Sequence, residues 1–403
     1  MGDRSISESP VGMSSAPRKA GRIALLDVLR GVAIFGTLGT NVWIFSEVGS
    51  DSSLLFAGGL PWWTSVDGFL TTLTLFLTNG KFLGLLTILF GVGLEIQYQS
   101  ARRRGLSWPV RYLWRSVLLF FEGLLHYVLV FEFDILMGYA VAAFIVAFLV
   151  GRSEKIIRQA MWVSGGLHVL LFGALASLLF AVTLLDPASL ASGGIFAEGA
   201  SRVYADGSWW DQVLFRLNNL LLYRIEPVAI IPMNIFLFLL GVRLMRSGAF
   251  SPDESGRRIR RKMLRWGLMI GVPLNLLYFV PNGLFELPVR YLFAPVLSLG
   301  YLGLVALVME RAWFRWTGAR FAEIGRMALS CYVLQNVLGS VVFYGWGFGF
   351  TGEVGAVGTL VIWAVISAMI ALFAHLWLRR FAAGPLEGVW KRLSLLSFGS
   401  GKT

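Results

Sequence analysis

The stretch from Ala356 to Leu378, AVGTLVIWAVISAMIALFAHLWL, runs without an acid, a lysine or an arginine and meets Arg379-Arg380 at its end. At about 1.5 Å per residue such a helix is ~35 Å long, enough to cross a hydrocarbon layer ~30 Å thick. Working outward from it, comparable apolar runs give ten candidate spans, at roughly 23–46, 66–98, 116–131, 134–150, 157–183, 228–245, 264–281, 289–309, 327–346 and 356–378.

The loops between these runs alternate in charge. If Met1 to Arg22 is cytoplasmic, then 99–115, 151–156, 246–263, 310–326 and the tail after 378 are too, and they hold nearly all of the 35 Lys and Arg, as in Arg102-Arg103-Arg104, Arg152, Lys155 and Arg257 to Lys262. Only Arg202, Arg216, Arg224 and Arg290 fall on the other side, where Glu47, Asp51, Glu132, Asp134, Asp186 and Glu226 collect. That asymmetry is the positive-inside pattern. The expected fold is all-α: a polytopic membrane helix bundle of about ten transmembrane helices, multi-pass in the plasma (inner) membrane, with both termini cytoplasmic. Residues 1–22 read as a flexible cytoplasmic tail, 23–380 as the transmembrane domain and 381–403 as a second cytoplasmic tail.

Composition points the same way, since 56% hydrophobic and 14% charged residues leave too little polar surface for a soluble shell. The net charge of +12 is spread over all the inner loops, so it reads as topology and attraction to anionic lipid, with no nucleic-acid partner expected. One cysteine, Cys331, and three histidines, one per span, argue against a disulfide or a metal centre. The first run holds Asp27 and Arg30 and lacks a clear small-residue cleavage site, as a retained helix does. Thr78-Asn79-Gly80-Lys81 interrupts the second, which predicts a break with a tilted or re-entrant half-helix. The outer segment 184–227 becomes amphipathic from Trp209 to Tyr223, with Trp209, Trp210, Val213, Leu214, Leu217, Leu220 and Leu221 on one face and Asp211, Arg216, Asn218 and Asn219 elsewhere. It reads as an interfacial helix, or as a lid over an outward-facing cavity. No internal repeat is visible.

Ionisable groups within the bilayer are costly and must face a partner or a watery cavity. Asp27 and Arg30, three residues apart, share a helix face; they pair with each other, or Arg30 holds a phosphate-bearing ligand. In Glu122-Gly123-Leu124-Leu125-His126 the carboxylate stacks one turn from the imidazole, near mid-membrane, and Gly123 admits close approach. An oriented neutral imidazole is how a general base is built, although a histidine satisfied by a neighbouring helix gives the same pattern. Asp134 is near in sequence. Gln335-Asn336, preceded by Ser330, Cys331 and Tyr332, form a polar stripe that either glues helices or meets a ligand. Lys81 needs an acidic or carbonyl partner, Glu95 and Gln97 read as interfacial, and His168 and His375, with no acid within a helical turn, read as structural.

These residues also carry a resemblance. Arg22 to Gly31 (Arg-Ile-Ala-Leu-Leu-Asp-Val-Leu-Arg-Gly) with Asn41 resembles the opening helix of the YeiB-like membrane proteins, the family called domain of unknown function 418. Similar landmarks are Gly80-Lys81-Phe82 with Leu89 to Gly93, Gly123-Leu124-Leu125-His126 with Asp134-Ile135-Leu136, Gly325 to Leu329, and Gly384-Pro385-Leu386-Glu387. Ser330-Cys331-Tyr332 and Gly39-Thr40-Asn41 depart from the family's usual pattern. The family has no well-defined activity, but its opening helix and span count are similar to those of transmembrane acyltransferases, which take acyl groups from a cytoplasmic coenzyme A thioester.

The resemblance implies an O-acyltransferase passing an acyl (acetyl) group from acyl-CoA to an extracytoplasmic glycan or lipid hydroxyl. His126 oriented by Glu122 would be the base, Asn336 or Gln335 would support the oxyanion, and Arg30 with Asp27, Lys81, Arg102 and Arg103 would form the donor site. The alternatives are a proton-coupled transporter or exporter of a small solute, relaying protons through Glu122, His126 and Asp27, and a non-enzymatic envelope scaffold. Expected partners are the lipid bilayer and a small-molecule, glycan or lipid substrate; a homo-oligomer is compatible with the sequence.

Overall fold

A computed structural model describes residues 23–47, 62–185, 194–280 and 284–396. The tail 1–22 and part of the outer segment lie outside them. Every regular element among the described residues is helical. In chain order they are α1 (Ala24–Ser46), α2 (Val66–Thr78), α3 (Lys81–Arg103), α4 (Val110–Leu129), α5 (Leu136–Leu149), α6 (Glu154–Leu185), α7 (Gly194–Asp206), α8 (Trp209–Asn218), α9 (Leu220–Ala229), α10 (Ile231–Arg246) and α11 (Glu254–Leu276). There follow α12 (Glu286–Val308), whose second turn is a π-helix at Val289–Phe293, then α13 (Arg315–Arg326), α14 (Ala328–Phe343), α15 (Ala356–Arg380) and α16 (Pro385–Leu396).

Helices cover all ten apolar runs, but length and composition alone qualify fewer of them to cross a membrane. Five stretches do so, Ala24–Ser46, Val66–Arg103, Glu154–Val182, Glu286–Val308 and Ala356–Arg380, or up to seven if the bent pairs α9–α10 (41°) and α13–α14 (90°) are each one span. The remainder are short, like α5, or carry arginines near one end, like α4 and α11. What the exposed surfaces show is a belt suited to lipid. In α6, Trp162, Val163, Leu167, Leu170 and Leu178 project outward, and only 11% of its most apolar stretch is buried; the corresponding face of α15 exposes Val361, Val365, Met369 and Leu372. Apolar surface on this scale marks a membrane protein.

The opposite case is α1, with 83% of its most apolar stretch buried. It forms the centre of the bundle, packed by α2, α3, α13, α14 and α15. In lipid, helices associate through close packing, and small residues let backbones meet. A Cβ on Gly31 would lie 1.9 Å from the Phe321 carbonyl oxygen of α13, and one on Gly325 would lie 1.8 Å from that of Asp27 on α1. The two glycines are thus reciprocal, each emptying the space the other helix fills.

The break in the second run is real. α2 ends at Thr78, Gly80 adopts a left-handed conformation (φ 79°), and α3 restarts at Lys81 without the chain folding back. At the arginine-rich end of the bundle, Arg246 donates two hydrogen bonds to Glu95 (2.9 and 3.0 Å) and one to the Val150 carbonyl (2.7 Å). Glu95 is therefore buried and paired, where the sequence suggested an interfacial position. At the start of α14, Glu387 of α16 accepts from the backbone N–H of Leu329 (3.0 Å) and Ser330 (3.3 Å), and Ser330 Oγ accepts from Leu386 N–H (3.1 Å). A carboxylate from elsewhere in the chain so replaces a local N-cap.

The amphipathic outer segment keeps most of its apolar face exposed but buries one residue of its polar side. Trp210, Leu214, Leu217 and Leu221 are exposed, while Arg216 is fully buried beneath Tyr204, its guanidinium 5.8 Å from that ring. Ser208 and Asp211 form a reciprocal capping box that starts α8, and hydrogen bonds from Ser208 hold the Asp211 carboxyl below its usual range.

Candidate functional site

α4 carries His126 in its last turn, and the chain reverses through Val130 to Ile135 into α5. The imidazole therefore lies near the end of the bundle opposite the arginine-rich loops, not at mid-span. A Cβ on Gly123 would meet Met137 N at 2.7 Å and Asp134 Oδ2 at 2.8 Å, so only glycine lets the hairpin close far enough to bring Asp134 against His126. Arg224 of α9 braces that turn, donating to the carbonyls of Glu132 and Asp134 with its guanidinium 3.9 Å from the Tyr127 ring centroid. Above it, Tyr344 donates to Glu132 (3.2 Å), whose carboxyl burial pushes upward against the pull of Arg216.

The result is one directed chain of hydrogen bonds. Asp134 Oδ1 lies 2.9 Å from His126 Nδ1, and Asp134 Oδ2 accepts from Met137 N–H at 3.1 Å. With the carboxylate accepting at Nδ1, the neutral ring carries its proton there and presents a lone pair at Nε2. Asn336 Nδ2 donates to that nitrogen at 3.2 Å, and Asn336 Oδ1 accepts from Asn41 Nδ2 at 3.0 Å. His126, Asp134, Asn336 and Asn41 are all buried, and the Tyr332 ring packs 5.2 Å from the imidazole. Four helices, α1, α4, α5 and α14, meet in this chain.

The other expected residues are placed differently. Glu122 shares a face of α4 with His126 but turns toward Trp390 of α16, so the carboxylate orienting the ring is Asp134. One-turn spacing puts two side chains side by side without fixing the rotamer of either, and the hairpin supplies a nearer acid. Gln335 donates to Thr37 Oγ1 at 3.3 Å and stands beside the chain without joining it. Arg30 pairs with Asp27 at 3.4 Å and packs against Gly93 of α3. Arg102 and Arg103 line a separate cleft of about 600 Å³ with Arg152, Arg246, Tyr98 and Gln99. Arg30 is not among the residues of that cleft, because Gly93 and Arg102, nine residues apart, lie on opposite faces of α3. Lys81 is fully buried beside Phe76 and Tyr278, and its Nζ has no hydrogen-bond partner among the described residues. Tertiary contacts occupy the remaining histidines: His168 Nε2 reaches the Tyr291 carbonyl (3.0 Å), and His375 lies between Glu323 (3.2 Å) and Arg320.

Asn41 and Arg224 are site residues that the sequence alone does not assign. Each left a signal. Asn41 falls eleven residues, or three turns, beyond Arg30 on one face of α1, and Arg224 is one of the few arginines on the charge-poor side.

A helical bundle with a lipid-facing apolar belt and a buried acid–imidazole–amide chain defines the class as an integral membrane protein with an internal polar site. Residues 244–397 match the family described as "Protein of unknown function (DUF418)". The uncharacterized protein YxaH of Bacillus subtilis (strain 168) is 29% identical over 393 residues, covering 94% of this chain and 95% of that protein. The uncharacterized protein YeiB of Escherichia coli (strain K12) is 26% identical over 406 residues, covering 94% and 97%. An uncharacterized 39.9 kDa protein in the amylase 3′ region of Bacillus acidopullulyticus is 24% identical over 382 residues, covering 93% and 94%. The chain is therefore similar to the YeiB-like DUF418 proteins, through the family match at 244–397 and through these relatives over nearly its whole length.

Proposed function

We propose that the protein is a transmembrane O-acyltransferase of the inner membrane in which His126, oriented by Asp134, is the general base. The observation that carries this reading is the His126 Nδ1 to Asp134 bond of 2.9 Å, which leaves Nε2 as a base in a dry interior. An acceptor hydroxyl would displace the Asn336 amide from Nε2 and pass its proton there as its oxygen attacks the thioester carbonyl. The released Asn336 N–H would then serve the developing oxyanion. Collapse breaks the carbon–sulfur bond, the thiolate leaves, and the imidazolium returns a proton to it.

The donor side is the arginine-rich end. Asn41 and Arg30 lie on one face of α1, eleven residues and so about 16 Å apart. A thioester on a long flexible arm, as coenzyme A carries, suits that separation, with Arg30 or the Arg102–Arg103 cleft holding its phosphates. Positive charge on those loops supports a cytoplasmic location for them and for both termini. Cysteines introduced into each loop of a Cys331→Ala background test this by labelling from either side; two or more reversed loops would undo it.

The reaction itself is tested in membrane vesicles supplied with radiolabelled acetyl-coenzyme A. Wild type should transfer label to a glycan or lipid fraction and His126→Ala should not; transfer undiminished by His126→Ala would refute the mechanism. One observation favours a second reading, a proton-coupled transporter: the buried amine of Lys81 at a helix break, without a hydrogen-bond partner among the described residues. Solute flux without covalent change, abolished by Lys81→Met, would select it.

A further inference from the structure

Beside the His126 chain lies a cavity of about 50 Å³ whose walls include Thr37, Thr40, Asn41, Asn79, Asp134 and Glu226. It touches the chain twice, at Asp134, which binds one nitrogen of His126, and at Asn41, which binds the amide on the other. Asn79 stands at the break between α2 and α3, 2% exposed, and neither its Nδ2 nor its Oδ1 has a hydrogen-bond partner among the described residues. A buried amide left without partners on both sides is destabilising, and a fold keeps such a group where something else satisfies it.

The chemistry of the missing partner follows from the amide. It offers one acceptor and two donors side by side, so its complement both donates and accepts. Phosphate and ether oxygens only accept, and ammonium only donates. A hydroxyl does both, and adjacent hydroxyls match the two ends of an amide together. Both acids on the wall already have partners: Glu226 is paired with Arg290 at 3.0 Å and accepts from Tyr291, and Asp134 is held by His126 and the Met137 N–H. The volume admits a few heavy atoms, since a water needs roughly 10–15 Å³ on this measure. That is the hydroxyl-bearing edge of a ring, not a whole ring.

We infer that this cavity receives the hydroxylated edge of a neutral sugar or polyol and that Asn79 is its specificity-determining contact. Its role as the acceptor's seat rests on the acyl-transfer reading, while the binding itself does not.

The test uses full-length protein purified in an amine-oxide detergent free of sugar, titrated calorimetrically with methyl glucoside, with tetraethylene glycol dimethyl ether as a polyether that only accepts. Wild type should bind the glucoside saturably. Asn79→Leu should bind at least about tenfold more weakly while melting at or above the wild-type temperature, because it removes an unsatisfied amide. Asn79→Asp, similar in size, keeps the acceptors, removes both donors and should also weaken binding if the leucine variant proves unstable. Equal binding by wild type and both Asn79 variants, no preference over the polyether, or no binding by wild type, as for a cavity that holds only water, would overturn the inference. Glucoside binding that depends on Asn79, in a protein that transfers no acyl group, would sustain the inference and remove the acyl-transfer reading.

Discussion

His126 and Asp134 meet at 2.9 Å across the turn that reverses α4 into α5, eight residues apart in sequence and buried together. Neither could reach the other without the glycine at 123. The pair is thus a property of the hairpin, and it sets the tautomer on which any proton chemistry at Nε2 depends.

Asp134→Asn should preserve the shape of the turn and remove the acceptor that keeps the proton on Nδ1. Label transfer from acetyl-coenzyme A is expected to fall by about a hundredfold or more. Glu122→Gln should change it less than about threefold, since that carboxylate faces Trp390. Comparable losses in the two variants would return the orienting role to Glu122.

Asn41 and Asn336 are linked amide to amide at 3.0 Å. A double-mutant cycle with Asn41→Ala and Asn336→Ala, read by detergent melting, should show a coupling of about 1 kcal/mol. Additive losses would mean that the two amides act independently.

Gly325→Ala should be among the most damaging single-methyl changes in the chain, because its Cβ would sit 1.8 Å from the Asp27 carbonyl. Separation of α1 and α13 is the only relief, and loss of folded protein in size-exclusion profiles is the expected outcome. Gly166→Ala, with open space around its Cβ, is the matched control and should melt near wild type.

Glu387→Ala should lower stability by about 1–2 kcal/mol, the scale of a lost helix cap. Cys331, buried next to the capped turn, is a native reporter for this: its modification by a thiol-reactive dye on heating should begin at a lower temperature in the variant. An unchanged labelling curve would show that α14 holds its own start.

Much of the bundle was legible from residue patterning, because apolar runs of spanning length have few other ways to bury their backbone. Thr78 to Lys81 announced the break between α2 and α3, since glycine beside a polar pair interrupts a helix. What patterning could not give was the partner of each polar group. The sequence offered Glu122 for His126 because four-residue spacing is visible along one helix; Asp134 arrives through a turn. Asn41 and Asn336 lie 295 residues apart, and only tertiary packing joins them. Arg216 looked like the polar face of a surface helix, yet it is buried below Tyr204 near Glu132, a carboxylate from another segment.

The cap that Glu387 places on α14 has a consequence for the order in which the molecule is made. His126 leaves the ribosome in the first third of the chain, and Asn336, which binds its Nε2, follows some two hundred residues later. The turn that starts the helix bearing Asn336 stays open until Glu387 has emerged in its turn. The nascent protein therefore carries an imidazole awaiting its amide, and the site closes only once Glu387 has been made.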